Sequence, residues 1–315
     1  MKKTLNSRSS VYLGLLLSGA FLFSSCESEL EVVQTIDEEF SGVQRIEIES
    51  GFLEVNYEGK AGQTGVTLDG LLESSRSGNY QIDYSLEGNT LFIELDQQGM
   101  FGGGNHRGVL NLSGPKNMEL NVSAGSGKTQ VSGIEYPNLD ITSGSGSIRL
   151  YTIKVPTIRL QAGSGAIEGY NLTGNVDLEA SSGKIIFDQL AGNLKIFSSS
   201  GNVEVKRLSG KLNCELSSGN LEMGDVAEVE DLKISSGNII GAGVGLGAKT
   251  NLVSSSGKIS IQTFSNLKAF NYDFQAGSGK VTVGQSSSSG SLKIDNGAAQ
   301  TIRGSVSSGI IEIKN

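Results

Sequence analysis

The stretch SAGSGKTQ (residues 123–130) holds a glycine followed by Lys128 and Thr129, the residue types that end a phosphate-binding P-loop. A P-loop also needs a glycine five positions earlier, which starts the turn that aims backbone N–H groups at the phosphates; this chain has Val122 there. The residues that follow alternate like a strand, so they offer no helix N-terminus to hold a phosphate. We interpret the stretch as a structural corner and expect no nucleotide ligand.

Two other residues have side chains that carry catalysis in many enzymes. His106 is the single histidine and lies in the glycine-rich stretch MFGGGNHRG, which predicts a solvated loop residue rather than a held and oriented imidazole. Cys214 occupies a position that is apolar in neighbouring repeats, which predicts a small buried hydrophobe rather than a reactive thiol. We expect no metal site and no cofactor.

Carboxylates recur at one position of the repeated pattern described below, at Glu168, Glu204 and Glu222. Glycoside hydrolysis needs two carboxyl groups at a set separation, so this stripe keeps a carbohydrate-active enzyme as an alternative. Ile186 interrupts the stripe, and aromatic residues, which would serve as sugar platforms, make up only 6% of the chain. We predict a non-catalytic protein.

The N-terminal residues have the pattern of a targeting segment. Three basic residues precede an apolar stretch at 11–23, which is too short for a comfortable membrane span. The stretch ends in LFSSC, which resembles the lipobox of bacterial lipoproteins and implies that Cys26 carries a lipid. We expect a signal peptide at residues 1–25 and an acidic tether at 26–36, with Cys26 as the membrane anchor; ordinary secretion is the alternative.

A short glycine motif recurs through most of the chain, which has 315 residues and 44 glycines. The copies include AGSGK, SGSGS, AGSGA, SSGK, SSGN and SSGI and follow one another at about 18 residues in the central part, a period typical of solenoids. The formal net charge of −8 argues against a nucleic-acid partner, which would favour a basic face. The repeated glycines are Gly127, Gly146, Gly165, Gly183, Gly201, Gly219, Gly237, Gly257, Gly279 and Gly309.

Apolar residues keep fixed positions relative to these glycines. The second residue after the glycine is apolar, as at Ile185 and Val203, and only Thr129 departs from this. A second column lies five residues before the glycine and includes Cys214, and a third lies seven residues after it and ends at Phe264. The inward positions change parity between the fourth and the seventh residue after the glycine, which requires a bend or bulge there.

These patterns predict an all-β fold, a single-stranded parallel β-helix (β-solenoid) with about 18 residues per coil and roughly three sides. The sequence does not fix the handedness, and right-handed coils are our expectation. Residues 121–315 form the regular solenoid, and residues 37–120 are β-rich but less regular, as expected of early coils and a cap. We expect 37–315 to be one continuous domain without a helix.

Polar residues next to the repeated glycines would stack into a ladder along one edge of the solenoid. Turn chemistry at a solvated corner explains them without any ligand. The alternative is a repeated outward surface that binds a repetitive ligand such as a glycan. The ladder residues are Lys128, Lys184, Asn202, Asn220, Asn238, Lys258 and Lys280.

The layout resembles a known family. The segment FSGVQRIEIESGFLEVNYEG is followed by tandem SGSG-x-I and SSGN-[VLI] coils, as in the auto-transporter-adhesin-like lipoproteins with a head-GIN domain. The resemblance covers nearly all of residues 37–315 and implies an adhesin role without catalytic residues. An acidic run after Cys26 resembles the surface-export signal of Bacteroidota lipoproteins, so we expect an outer-membrane lipoprotein at the cell surface. Its partners would be the membrane and an external glycan or protein; a periplasmic envelope scaffold is the alternative.

Overall fold

Strands make up most of the computed structural model, which describes residues 29–98, 104–136 and 138–315. Cys26 and the predicted signal peptide lie outside the described residues. Within them the one helical element is a 3-10 turn at Leu267–Ala269, so the predicted all-β fold is confirmed. The strands are β1 (Glu31–Phe40), β2 (Arg45–Gly51), β3 (Glu54–Lys60), β4 (Val66–Ser74), β5 (Tyr80–Glu87), β6 (Thr90–Gln97), β7 (His106–Pro115), β8 (Glu119–Ala124), β9 (Thr129–Ser132), β10 (Asn138–Ser143), β11 (Ile148–Ala162), β12 (Ala166–Ala180), β13 (Lys184–Ala191), β14 (Leu194–Ser198), β15 (Asn202–Ser254), β16 (Lys258–Thr263), β17 (Asn271–Ala276), β18 (Lys280–Val283), β19 (Ser286–Ser288), β20 (Leu292–Ile294), β21 (Thr301–Val306) and β22 (Ile310–Lys314).

The central strands stack in parallel, each on the strand one repeat earlier. Ile148 of β11 pairs with Ile167 of β12, and the column continues through Ile185 of β13 to Val203 of β15. Aligned residues in neighbouring coils are 18 or 19 positions apart here. β15 covers 53 residues and so includes several corners, among them Gly219 and Gly237, whose φ is positive. The result is a solenoid-like stack; its right-handedness stays a prediction.

The predicted inward columns form the core. The column of Ile185 and the column of Cys214 are buried along their length, and even Thr129 is fully buried. Phe264 is the exception, since 65% of its surface is exposed, and the prediction that it continues the third column is wrong. The register between β15 and β16 shifts at this point, so that Thr263, not Phe264, pairs with Val244 and takes the inward position.

The repeated glycines form a close-packed corner. A Cβ on Gly183 would lie 1.9 Å from the carbonyl oxygen of Gly165, and one on Gly201 would lie 2.2 Å from that of Gly183. These glycines also have positive φ, 130° at Gly183 and 133° at Gly201, where side chains are disfavoured. The glycine of the SSG motif is therefore required by backbone packing between coils.

At the bend predicted from the change of parity, a column of residues adopts the left-handed backbone conformation. Thr152, Asn171, Gln189, Arg207 and Asp225 have φ between 51° and 63°. Each is the sixth residue after a repeated glycine and stacks on the same conformation in the next coil. One residue in this conformation reverses which side of the strand faces the core, so the alternation resumes with opposite parity.

The N-terminal part caps the stack with antiparallel strands. β2 lies between β6 and β8, and β3 lies between β7 and β9, so the first coil in the chain is covered by later strands. β1 pairs antiparallel with β4, β4 with β7, and β5 with β6. β1 begins at Glu31, so residues 31–36 of the segment predicted to be a tether belong to this cap.

The C-terminal coils stack in a different order from their order in the chain. β21 lies between β15 and β17, and β22 lies between β16 and β18. The coil of Gly309 is thus inserted between those of Gly257 and Gly279, as the hydrogen bonds from Ile310 N to Gly257 O and from Lys280 N to Gly309 O show. Beyond it, β19 and β20 pair antiparallel with β18 and β17 and close the end.

Candidate functional site

The central members of the predicted ladder lie in one column. Lys184 of β13 is in register with Asn202 of β15. The amide of Asn220 donates to Oδ1 of Asn202 at 3.0 Å, and the amide of Asn238 donates to Oδ1 of Asn220 at 3.2 Å. All four side chains are exposed. We call Lys184, Asn202, Asn220 and Asn238 the amide ladder.

The outer members of the predicted ladder are separated from these four. Asn238 is in register with Lys258, but Ile310 then lies between Lys258 and Lys280 because the C-terminal coil is inserted. At the other end, Lys128 precedes Thr129, which is in register with Ile148, and Ala166 is the coil neighbour of Lys184. The prediction of one continuous row from Lys128 to Lys280 is therefore wrong.

Two carboxylates line a shallow groove of 400 Å³ beside the amide ladder, Glu204 and Glu222. A side-chain hydrogen bond from Lys206 holds the pKa of Glu204 below its usual range. A general acid for glycoside hydrolysis needs a raised pKa instead, so Glu204 is not suited to that role. The chemistry of this face is hydrogen bonding and ion pairing.

The P-loop-like stretch has the geometry of a corner. A Cβ on Gly127 would lie 1.9 Å from the carbonyl oxygen of Leu53, so no space remains there for a phosphate. The carbonyl of Lys128 accepts a hydrogen bond from the backbone N–H of Val55, and Thr129 begins β9. The backbone groups of Lys128 and Thr129 therefore form hydrogen bonds with neighbouring coils.

His106 differs from its prediction. It is the first residue of β7, and its ring packs on Phe52 and Tyr80, with centroids 4.1 Å and 4.9 Å away. A glycine-rich neighbourhood suggested a loop, but pairing of β7 with β4 places His106 opposite Ser74. Cys214 is buried among the core side chains as predicted, and burial raises the pKa of its thiol to about 12.

A larger groove, which the sequence patterns did not reveal, lies on the other side of the serine-glycine corner. It has a volume of 630 Å³ and is lined by charged residues and by Phe197, which is 44% exposed. The signal for it in the sequence is the outward position of Phe197 in the alternating segment LKIFS, where a polar residue is the rule.

Among residues 29–98, 104–136 and 138–315, no group of three or more His, Cys, Asp or Glu side chains is placed to hold a metal ion. The same residues contain no helix long and apolar enough to cross a membrane.

Stacked parallel coils closed by antiparallel caps define a class of solenoid-like all-β proteins. The chain belongs to the Toastrack DUF4097 family, whose model matches residues 43–314. The narrower head-GIN assignment stays a prediction. No curated protein matches the sequence.

Several solved structures are similar over most of their length. A candidate adhesin from Parabacteroides distasonis is 11% identical, with 89% of this chain and 97% of that chain covered and a TM-score of 0.36. A candidate adhesin from Bacteroides fragilis is 11% identical, with 90% of this chain and 97% of that chain covered and a TM-score of 0.34. A candidate lipid-binding protein from Parabacteroides distasonis is 14% identical, with 90% of this chain and 96% of that chain covered and a TM-score of 0.37.

Proposed function

We propose that this protein is a lipid-anchored, non-catalytic component of a bacterial cell envelope that binds a partner on the lateral surface of its coils. The anchor is Cys26, and the location is the outer face of the outer membrane. Its coils are right-handed and roughly three-sided.

The amide ladder is the observation that supports a binding role most directly. An asparagine side chain can donate two hydrogen bonds and accept two, and Asn220 uses one donor and one acceptor on its neighbours in the ladder. Its remaining capacity faces solvent at a spacing of about 4.8 Å from coil to coil. Shared hydrogen bonds also fix the amide orientation, which reduces the entropy lost on binding.

The electrostatics of three carboxylates argue against a role as general acid. Hydrogen bonds lower the pKa of Glu204 through Lys206, of Glu230 through Asn213, and of Glu312 through Ser260. Carboxyl groups stabilised as anions are suited to salt bridges and to accepting hydrogen bonds from a ligand.

A binding screen against immobilised host-matrix proteins and glycans tests the binding role. The mature chain should bind at least one of these, and changing both Asn220 and Asn238 to Ala should weaken that binding about tenfold. Lys154→Ala, an exposed change outside the ladder, is the matched control and should have no effect. Absence of binding across the screen would favour the envelope scaffold, and turnover of a polysaccharide would favour the carbohydrate-active enzyme.

Cell fractionation tests the anchor. The wild-type protein should sediment with membranes, whereas Cys26→Ser should appear in a soluble fraction because no lipid can be attached. A Cys26→Ser protein that still sediments with membranes would contradict lipid anchoring.

A further inference from the structure

An open groove of 630 Å³ crosses the face that precedes the serine-glycine corner. It is lined by side chains of β10, β11, β12, β14 and β15, so it runs across the strands and along the stacking direction. We call it the Phe197 groove; the lining residues used below are Asp140, Arg159, Asp177, Glu179, Lys195 and Phe197.

One row of the groove alternates hydrogen-bond acceptors and donors. Asp140 is in register with Arg159, Arg159 with Asp177, and Asp177 with Lys195. Neighbouring members are thus one strand spacing apart, about 4.8 Å. A ligand lying along this row would meet an acceptor, a donor, an acceptor and a donor in turn. Hydroxyl groups suit this pattern because each of them both donates and accepts.

Phe197 supplies a flat apolar surface in the parallel row. Its neighbours in register are Glu179 and Glu215, one coil to either side. The residues beside it in β14, Ile196 and Ser198, are buried, so the core does not need the phenyl ring. The negative face of an aromatic ring attracts polarised C–H groups, and a pyranose ring presents such a C–H face between its hydroxyls.

The polar groups of the groove are largely unused by the protein. Arg159 lies 3.5 Å from Asp140, but Asp177, Glu179 and Lys195 form no hydrogen bond or ion pair with the described part of the chain. The amide ladder on the neighbouring face differs, because its three asparagine side chains bond to one another. The groove therefore offers more unshared donors and acceptors to a ligand than the ladder does.

Two features narrow the class of ligand. Backbone N–H and C=O groups beneath the groove pair with the coils on both sides, so a peptide cannot bind there by strand addition. Carboxylates outnumber basic groups, since Glu215 joins Asp140, Asp177 and Glu179 against Arg159 and Lys195. This balance disfavours phosphates and acidic sugars.

We infer that the Phe197 groove binds a neutral oligosaccharide whose sugar rings follow the stacking direction, with one ring on Phe197. The charged row then hydrogen-bonds the hydroxyl groups of successive sugars. The site lies on a different face from the amide ladder, so the inference does not depend on the part that the proposed function gives to the ladder.

Isothermal titration calorimetry of the mature chain with neutral hexasaccharides tests the inference. The probes are cellohexaose, maltohexaose, xylohexaose and N-acetylchitohexaose, with hexagalacturonate as the acidic counterpart. At least one neutral probe should bind, and it should bind more tightly than hexagalacturonate. Phe197→Ala should weaken binding about tenfold, and Glu179→Gln should weaken it about threefold.

Two controls separate this site from others. Phe264→Ala removes a more exposed aromatic ring from a different part of the surface and should leave the affinity unchanged. Lys154→Ala, an exposed change outside both the groove and the amide ladder, should also leave it unchanged. Failure of all four neutral probes to bind, or equal binding by wild type and Phe197→Ala, would overturn the inference. Weaker binding in an Asn220→Ala variant alone would move the oligosaccharide to the ladder and support the proposed function instead.

Discussion

Thr129 is a polar residue in a core column that is otherwise apolar at the equivalent positions. Its side chain is fully buried, and its hydroxyl has no hydrogen-bond partner among the described residues. An unsatisfied buried hydroxyl costs about 1–3 kcal/mol. Thr129→Val keeps the shape of the side chain and removes the hydroxyl, so we expect a gain in unfolding free energy of about 1–2 kcal/mol by chemical denaturation.

Thr263 gives the matched control for this substitution. It is also buried, but its hydroxyl donates to Val244 O at 2.6 Å and accepts from Ser265 N at 3.0 Å. Thr263→Val should therefore lower the unfolding free energy. The interpretation of Thr129 would be wrong if both substitutions changed stability in the same direction.

Cys214 should behave as a core residue with a neutral thiol. Burial raises the pKa of its thiol to about 12 in the folded chain, against an ordinary value of 9.0. The unfolded state therefore ionises first as pH rises, so this group's contribution to stability is complete below about pH 9 and is lost between pH 9 and pH 12. With Cys26 changed to Ser, a thiol reagent at pH 8 should react only after denaturation; rapid reaction of the native protein would contradict this.

At the scale of one element, the stacked glycines allow the backbones of neighbouring coils to pack closely at the corner. Gly183→Ala would place a Cβ 1.9 Å from Gly165 O, on a residue whose φ is 130°. We expect a loss of at least about 2 kcal/mol of unfolding free energy, measured by denaturation, because backbone in two coils must shift. Gly290 is the control, since a Cβ there meets only Ser288 Oγ at 3.9 Å. Equal stability of Gly183→Ala and Gly290→Ala would refute the corner packing.

The repeated elements could be predicted from sequence because inward and outward residues alternate in fixed columns. The change of parity located a bend, and the column that includes Thr152 and Asp225 adopts left-handed backbone there. His106 and Phe264 were misplaced because their positions depend on pairing and register shifts that single-sequence patterns do not encode. The Phe197 groove arises from side chains of five strands that only stacking brings together.

At the scale of the whole molecule, the order of the coils could not be predicted. Gly309 follows Gly279 along the chain, yet β21 and β22 lie between earlier strands. An N-terminal coil is enclosed in the same way, with β2 between β6 and β8. Chain segments near both ends are thus held between others, which should oppose fraying of the stack.

Disulfide cross-linking tests the C-terminal order. Asn251 is in register with Arg303, and Arg303 is in register with Asp273. Cysteines at 251 and 303 would be about 4.8 Å apart and should form a disulfide on mild oxidation. Cysteines at 251 and 273 are two strands apart, beyond the reach of a disulfide, and should stay reduced. The opposite pattern would show that the coils follow the order of the chain.

The proposed function depends most on whether the lateral faces lie outside the cell. Asn220→Cys places a thiol on the exposed amide ladder, while Cys214 is buried and a lipidated Cys26 has no free thiol. A membrane-impermeant maleimide should label Asn220→Cys equally on intact and on lysed cells, and should leave the wild type unlabelled in both. Labelling of Asn220→Cys only after lysis would place the stack inside the outer membrane and contradict a surface-binding role.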